Sequence, residues 1–242
     1  MKHVGILAHS AEGSSLCYLA LCHAGASKLG DHLHPDVTMD AISMGASIPD
    51  WERENFPPIR ATLAKSVGRL SAADCDFFVC PDNTAHLALE VDGPDLALPG
   101  LHIADVVTKE AVERGYRKLG ILGTKWTMAR PMYFRAALSK GLTAIAPNEP
   151  DRNYINGVIF SELCKGIFND NSRMEHVRIM EDLKSSGCDA VVLGCTEIPL
   201  LISSEQSPLP ILDSTRLLAK YALGVALGEN SLPSWRGGPM WP

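Results

Sequence analysis

Several features that would mark a membrane, nucleic-acid or metal-binding protein are missing from this 242-residue sequence. No apolar run approaches the ~20 residues that a bilayer-spanning helix needs, so no membrane partner is expected. Basic charge is not in excess. The 22 Lys and Arg against 28 Asp and Glu leave a net charge of −6, which excludes the basic face that grips a phosphate backbone. No nucleic-acid partner is expected either, and a small molecule fits the composition better. The first residues, Met1 to Ala8, lack the cationic start and long apolar centre of a secretory leader, and the expected location is cytoplasmic. Seven cysteines, at 17, 22, 75, 80, 164, 188 and 195, are odd in number and contain no CxxC pair, so they read as reduced thiols. His32 and His34 stand two apart without further ligands, so no metal site is expected. No dinucleotide fingerprint or P-loop occurs, and no cofactor is called for.

What the chain does have is a regular alternation of two patterns. With 46% hydrophobic and 21% charged residues it can bury a globular core. Short aliphatic runs predict strands near 4–8, 37–43, 76–80, 98–102, 118–122, 143–146, 190–193 and 210–212. Between them, apolar residues at helical spacing stand out at 59–70, 128–138, 174–183 and 215–226. Strand-helix alternation of this kind predicts an α/β fold with parallel sheets.

Two segments also resemble one another. Cys75-Asp76-Phe77-Phe78-Val79-Cys80-Pro81-Asp82 and Cys188-Asp189-Ala190-Val191-Val192-Leu193-Gly194-Cys195 each run Cys-Asp, then an apolar strand, then a reactive side chain six residues past the Asp. Gly5-Ile6-Leu7 and Gly120-Ile121-Leu122 repeat upstream at a similar distance. The duplication predicts two lobes: residues 1–103 with 212–228, and residues 104–211, followed by an irregular tail at 229–242. In open parallel sheets, ligands bind outside the carboxyl ends of the strands. Asp82 and Cys195 fall at such ends, so a cleft between the lobes is the expected active site.

Cys195, between Gly194 and Thr196, is the leading reactive group. Backbone donors at the loop are expected to lower its thiol from about 8.5 toward neutrality. Asn83 and Thr84 follow Asp82, and Thr196 and Glu197 follow Cys195, so each loop couples a titratable group to hydrogen-bonding neighbours suited to a carboxylate ligand. Ser10, after the first strand, and Thr127, after the strand ending near Leu122, occupy matching places and are further candidates for holding that carboxylate. Each also suits the ordinary capping of a helix. The tail, with Trp235, Trp241 and several Pro and Gly, follows neither period and is expected to be loose or laid on a neighbouring surface.

Asp82-Asn83-Thr84-Ala85-His86 resembles the Cys-Asn-Thr-Ala-His segment of the cofactor-independent aspartate/glutamate racemases, and Gly194-Cys195-Thr196-Glu197 resembles their second catalytic motif. Gly123-Thr124-Lys125-Trp126-Thr127-Met128 and Pro210-Ile211-Leu212-Asp213-Ser214-Thr215 extend the similarity across residues 3 to about 227. The resemblance implies two Rossmann-like lobes about a pseudo-two-fold axis, a homodimer, and racemisation or epimerisation of an aspartate- or glutamate-like amino acid without a cofactor. It assigns Cys195 and Asp82 as opposed acid/base groups. Asn83, Thr84, Thr127, Thr196, Glu197 and Ser10 would bind substrate. Two departures stand out: Asp82 replaces the family's first cysteine, and Ala8-His9-Ser10-Ala11 replaces a Gly-Gly-Met-Gly-like turn. An unperturbed Asp is a poor base, and burial is expected to raise Asp82 to a useful value. Single-cysteine relatives include decarboxylases of disubstituted malonates and cis-trans isomerases of unsaturated diacids, which form the alternative reading. A non-catalytic small-acid binding protein is the third.

Overall fold

The structure, a computed structural model, describes residues 1–241; Pro242, the last residue of the expected tail, lies outside them. The chain divides into two compact units, Met1–Val106 with Thr215–Met240, and Val107–Ser214 with Trp241. The first unit contains β1 (Val4–Ala8), α1 (Ala11–Leu29), β2 (Val37–Ala41), α2 (Ile48–Glu52), α3 (Phe56–Ala72), β3 (Phe77–Val79), α4 (Asn83–Leu89) and β4 (Gly100–Leu101). After α5 (Ile103–Glu113) the second contains β5 (Lys118–Gly123), α6 (Lys125–Ala129), α7 (Met132–Ser139), β6 (Thr143–Ile145), α8 (Glu149–Ser161), α9 (Asp170–Ser185), β7 (Ala190–Gly194), α10 (Ile198–Leu201) and β8 (Ile211–Asp213). The last helix, α11 (Ser214–Ala226), belongs to the first unit from Thr215 onward. Among the described residues no helix is long and apolar enough to cross a membrane.

Each unit holds one four-stranded parallel sheet, ordered β2-β1-β3-β4 in the first and β6-β5-β7-β8 in the second. The fold is therefore α/β with two parallel-sheet lobes. Strands β1 and β7 are buried along their whole length, as the near-continuous apolar runs of a parallel sheet covered on both faces require. Edge strand β2 is partly exposed and correspondingly mixed in composition.

The sequence repeat has a physical basis inside each sheet. Asp76 N–H donates to the His3 carbonyl at 2.9 Å, while its carboxylate accepts the His3 N–H at 2.7 Å. Asp189 does the same in the second unit: its N–H donates to the Lys118 carbonyl at 2.9 Å, and its carboxylate accepts the N–H groups of Arg117 and Lys118 at 2.7 and 3.0 Å. Both aspartates thus clamp the start of one central strand to the next. The preceding residues repeat as well, since Cys75 N–H donates to the Leu70 carbonyl and Cys188 N–H to that of Leu183. Those two leucines explain the repeated glycines. A Cβ on Gly5 would stand 3.1 Å from Leu70 Cδ1, and one on Gly120 only 2.8 Å from Leu183 Cδ1.

One expectation fails locally. The helical pattern over 128–138 is split into α6 and α7 at Arg130-Pro131, because Pro131 has no N–H to continue the ladder and forces the preceding residue out of the helical region. The tail takes the second of the two arrangements expected, since Trp235 and Arg236 lie on a neighbouring surface of the first unit. Gly100 N–H of β4 donates to the Trp235 carbonyl and Leu96 N–H to that of Arg236, both at 2.8 Å, so the tail covers the outer edge of β4. Trp235 stacks on His86 at 5.8 Å between ring centroids and meets His102 edge-on at 4.8 Å.

Replacing Trp235 with Ala removes a buried aromatic from this edge and is expected to reduce unfolding free energy by about 3–5 kcal/mol. Chemical denaturation measures it, and a loss under about 1 kcal/mol would mean that the tail contributes little to the first unit.

Candidate active site

Asp82 leaves β3 in an extended conformation, with φ −125° and ψ 108°, and caps α4. One carboxylate oxygen, Oδ1, accepts the Ala85 N–H at 3.2 Å. The other, Oδ2, lies 2.6 Å from Nδ1 of His9, which follows β1. The pair is well covered: the side chains of His9 and Asp82 are 1% and 12% exposed. Thus the two places where the sequence departs from the racemase pattern, residues 9 and 82, are in contact.

Behind this pair lies a second buried layer. His86 Nδ1 donates to the Asp82 carbonyl at 3.0 Å, while its Nε2 accepts the Ile103 N–H at 3.3 Å. Holding one proton in that arrangement, the ring is neutral; burial, with His102 beside it, pushes its pKa down to about 3. His102 in turn meets Glu90 at 3.1 Å. His86 therefore orients the backbone of Asp82 rather than serving as a proton donor at neutral pH.

The expected rise of Asp82 does not occur. Burial alone pushes a carboxyl up, but the hydrogen bond from His9, with that of the Ala85 N–H, outweighs it, and Asp82 lies below its usual value. Cys80, two residues earlier, goes the other way: burial and the Asp82 charge push its thiol well up.

Cys195 follows β7 in the same way that Asp82 follows β3. Its thiol, on a residue 8% exposed, donates to Glu197 Oε2 at 2.9 Å. The expected lowering of this thiol is overturned, because burial and then the Glu197 carboxylate raise it well above the ordinary value. At neutral pH Cys195 is a protonated thiol with a carboxylate placed to accept its proton.

The remaining candidates divide by what their side chains touch. Ser10 caps α1, accepting the Gly13 N–H at 3.2 Å. Thr127 is fully buried. Its hydroxyl meets that of Thr124 at 3.1 Å, and its methyl lies where a Cβ on Gly123 or Gly194 would be 3.0 or 3.1 Å away. It wedges apart nothing and packs the two paired strand ends of β5 and β7 together. Asn83 and Thr84 open α4 beside Asp82, and Thr196 adjoins Cys195; all three are buried. His9 was not among the candidates, although its place after β1 in a departure from the pattern was a usable signal.

The Asp/Glu/Hydantoin racemase family matches residues 6–222. The chain is 27% identical over 168 residues to the broad specificity amino-acid racemase RacX of Bacillus subtilis, covering 67% of this chain and 70% of that protein. Among solved structures it is similar to an aspartate racemase homologue from Pyrococcus horikoshii OT3, with a TM-score of 0.77 at 26% identity over 94% of this chain and 100% of the other. It shares the fold of Picrophilus torridus aspartate racemase, with a TM-score of 0.71 at 20% identity over 93% and 94% of the two chains. With the match spanning both sheets and both reactive loops, the chain belongs to the Asp/Glu/Hydantoin racemase family.

Proposed function

We propose that the protein is a cofactor-independent amino-acid racemase or epimerase, and that Asp82 and Cys195 serve opposite faces of one α-carbon of an aspartate- or glutamate-like substrate. The observation that carries this reading is that each reactive side chain leaves the carboxyl end of a central strand already paired with a second titratable group, His9 for Asp82 and Glu197 for Cys195. A racemase needs one group to take a proton and another to give one. The resting forms match those roles, since Asp82 is held as a carboxylate and Cys195 as a thiol.

In the forward direction the Cα–H bond breaks and its proton goes to the Asp82 carboxylate. The electron pair stays on the substrate, delocalised into its α-carboxylate. Cys195 then gives its proton to the other face, and Glu197 stabilises the arrangement by accepting the thiol hydrogen bond beforehand. Asn83, Thr84 and Thr196 supply hydrogen bonds to the substrate carboxylate, with Ser10 and Thr127 shaping the loops that present them. Family membership and the likeness to RacX, an amino-acid racemase of broad specificity, support the reaction class. The acidic substrate rests on Glu197 in the second motif and on the aspartate racemase homologue among the similar structures. A cytoplasmic homodimer is the form we expect to act.

Incubating the protein with L- and D-amino acids in deuterated water is expected to place deuterium at the α-carbon of an acidic amino acid and to generate its enantiomer. Cys195→Ser should slow this by about 10²- to 10⁴-fold, the usual contribution of a positioned acid or base. Undiminished exchange in that variant, or carbon dioxide released from a disubstituted malonate with no exchange on any amino acid, would overturn the assignment.

Glu197 also makes a prediction about the thiol itself. Removing its charge in Glu197→Gln lowers the Cys195 pKa, so more thiolate forms at mildly alkaline pH. Peptide-resolved alkylation should show Cys195 reacting more slowly than exposed Cys164 in the native protein and several-fold faster in the variant than before. An unchanged Cys195 rate would remove Glu197 from this role.

A further inference from the structure

We propose that His9 is the positioning residue that keeps Asp82 in its base form, so that the imidazole and carboxylate work as a single unit in the place where the family's first cysteine stands. The inference deepens the racemase reading and rests on it for its catalytic consequence. Its geometric basis is independent of that reading.

The contact is short, at 2.6 Å, and both side chains are well covered, so the charge-assisted hydrogen bond is little weakened by water. The far nitrogen of His9, Nε2, is buried and has no hydrogen-bond partner among the described residues. Left as a bare lone pair it carries a modest penalty, whereas an N–H there would be a buried donor without an acceptor. This assigns the ring proton to Nδ1, where it is donated to Asp82 Oδ2. Trp51, itself buried, lies beside the ring at 6.4 Å between centroids and limits its reorientation.

The titratable neighbours on the surrounding elements leave His9 as the chief group that opposes burial at Asp82. Cys80, after β3, is held as a thiol by burial and by the Asp82 charge, and Cys17 on α1 adds to that rise. His86 on α4 is neutral and faces the Asp82 carbonyl rather than its carboxylate. The Ala85 N–H serves Oδ1. His9 therefore supplies the donor on Oδ2 that offsets the penalty of burying a carboxylate.

The consequence for catalysis is an enzyme with one preferred resting form, carboxylate at residue 82 and thiol at residue 195. A substrate whose α-proton faces Asp82 meets that form directly. Its enantiomer requires the reverse form, with Asp82 protonated and Cys195 ionised, which His9 disfavours. Two enantiomers are equally stable, so their kcat/KM values must be equal, and the bias appears as unequal kcat balanced by unequal KM.

Two variants separate proton control from mere support. His9→Ala removes the donor, and His9→Asn keeps an N–H near the place of Nδ1 without a ring that can hold a second proton. The sign follows from what is lost. Without His9 the burial of Asp82 is less opposed, its pKa rises, and the base form persists only at higher pH. In ligand-free protein with carbon-13 in its Asp carboxyls, the Asp82 titration should move to higher pH in His9→Ala and move less in His9→Asn. The acid limb of α-deuterium exchange should move the same way, and the ratio of the two kcat values should shift toward one. An Asp82 titration unmoved in both variants overturns the proposal, as does a uniformly lowered exchange rate with an unmoved acid limb. Wild-type protein that exchanges no amino acid would overturn the racemase reading instead, and the carboxyl titration would still decide the role of His9.

Discussion

Two backbone clamps set the geometry from which everything else follows. Asp76 ties the start of β3 to the residues entering β1, and Asp189 ties the start of β7 to those entering β5. A side-chain carboxylate accepting a strand's N–H fixes which residues lie opposite each other, and in a parallel sheet a slip by one residue would turn every side chain to the other face. Because the register is fixed at the start of the strand, it is fixed six residues later as well. Asp82 and Cys195 are delivered to equivalent points beyond the carboxyl ends of their strands by the same device. The closely packed Gly5 and Gly120 serve it too, since a larger residue at either point would push away the leucine whose carbonyl anchors the clamp.

Burial alone would disarm both reactive residues in the same direction, making the carboxyl and the thiol harder to ionise. What distinguishes them is the partner each has been given. Asp82 faces an N–H donor from His9 and falls below its usual pKa, while Cys195 faces an acceptor, Glu197, and rises further. One site therefore waits with a proton missing and the other with a proton present. The proposed acid/base pair needs this difference, which comes from a donor at one position and an acceptor at the other.

The sheets were readable from sequence because their central strands are unbroken aliphatic runs with little else to compete. All eight predicted strand positions correspond to strands, within a few residues at their ends. The break at Pro131 was missed because apolar spacing on both sides continued through it; a single backbone restriction outweighed the pattern. Tail packing was beyond any periodic signal, since its partners are the edge amides of β4 and the rings of His86 and His102, more than a hundred residues away in the chain. Of the candidate site, the equivalent places of Asp82 and Cys195 beyond their strands were legible through the duplication. Their partners were less so. His9 lies 73 residues from Asp82, and Glu197, although only two from Cys195, was read as a substrate ligand rather than as the thiol's acceptor.

The two departures from the racemase pattern make sense together and not singly. A cysteine can be buried as a neutral thiol at little expense, whereas a carboxylate placed in the same enclosure without a partner would be driven toward its protonated form and lost as a base. Asp82 alone would thus be a weak replacement. A histidine at residue 9 alone would leave its Nδ1 proton facing a thiol, a poor acceptor. Brought within 2.6 Å, each satisfies the other: the histidine finds a strong acceptor and the carboxylate a donor that keeps it ionised. The substitution is accordingly best understood as a two-residue exchange of chemistry, in which the titratable group beyond β3 is still buried but is paired with a partner from the end of β1.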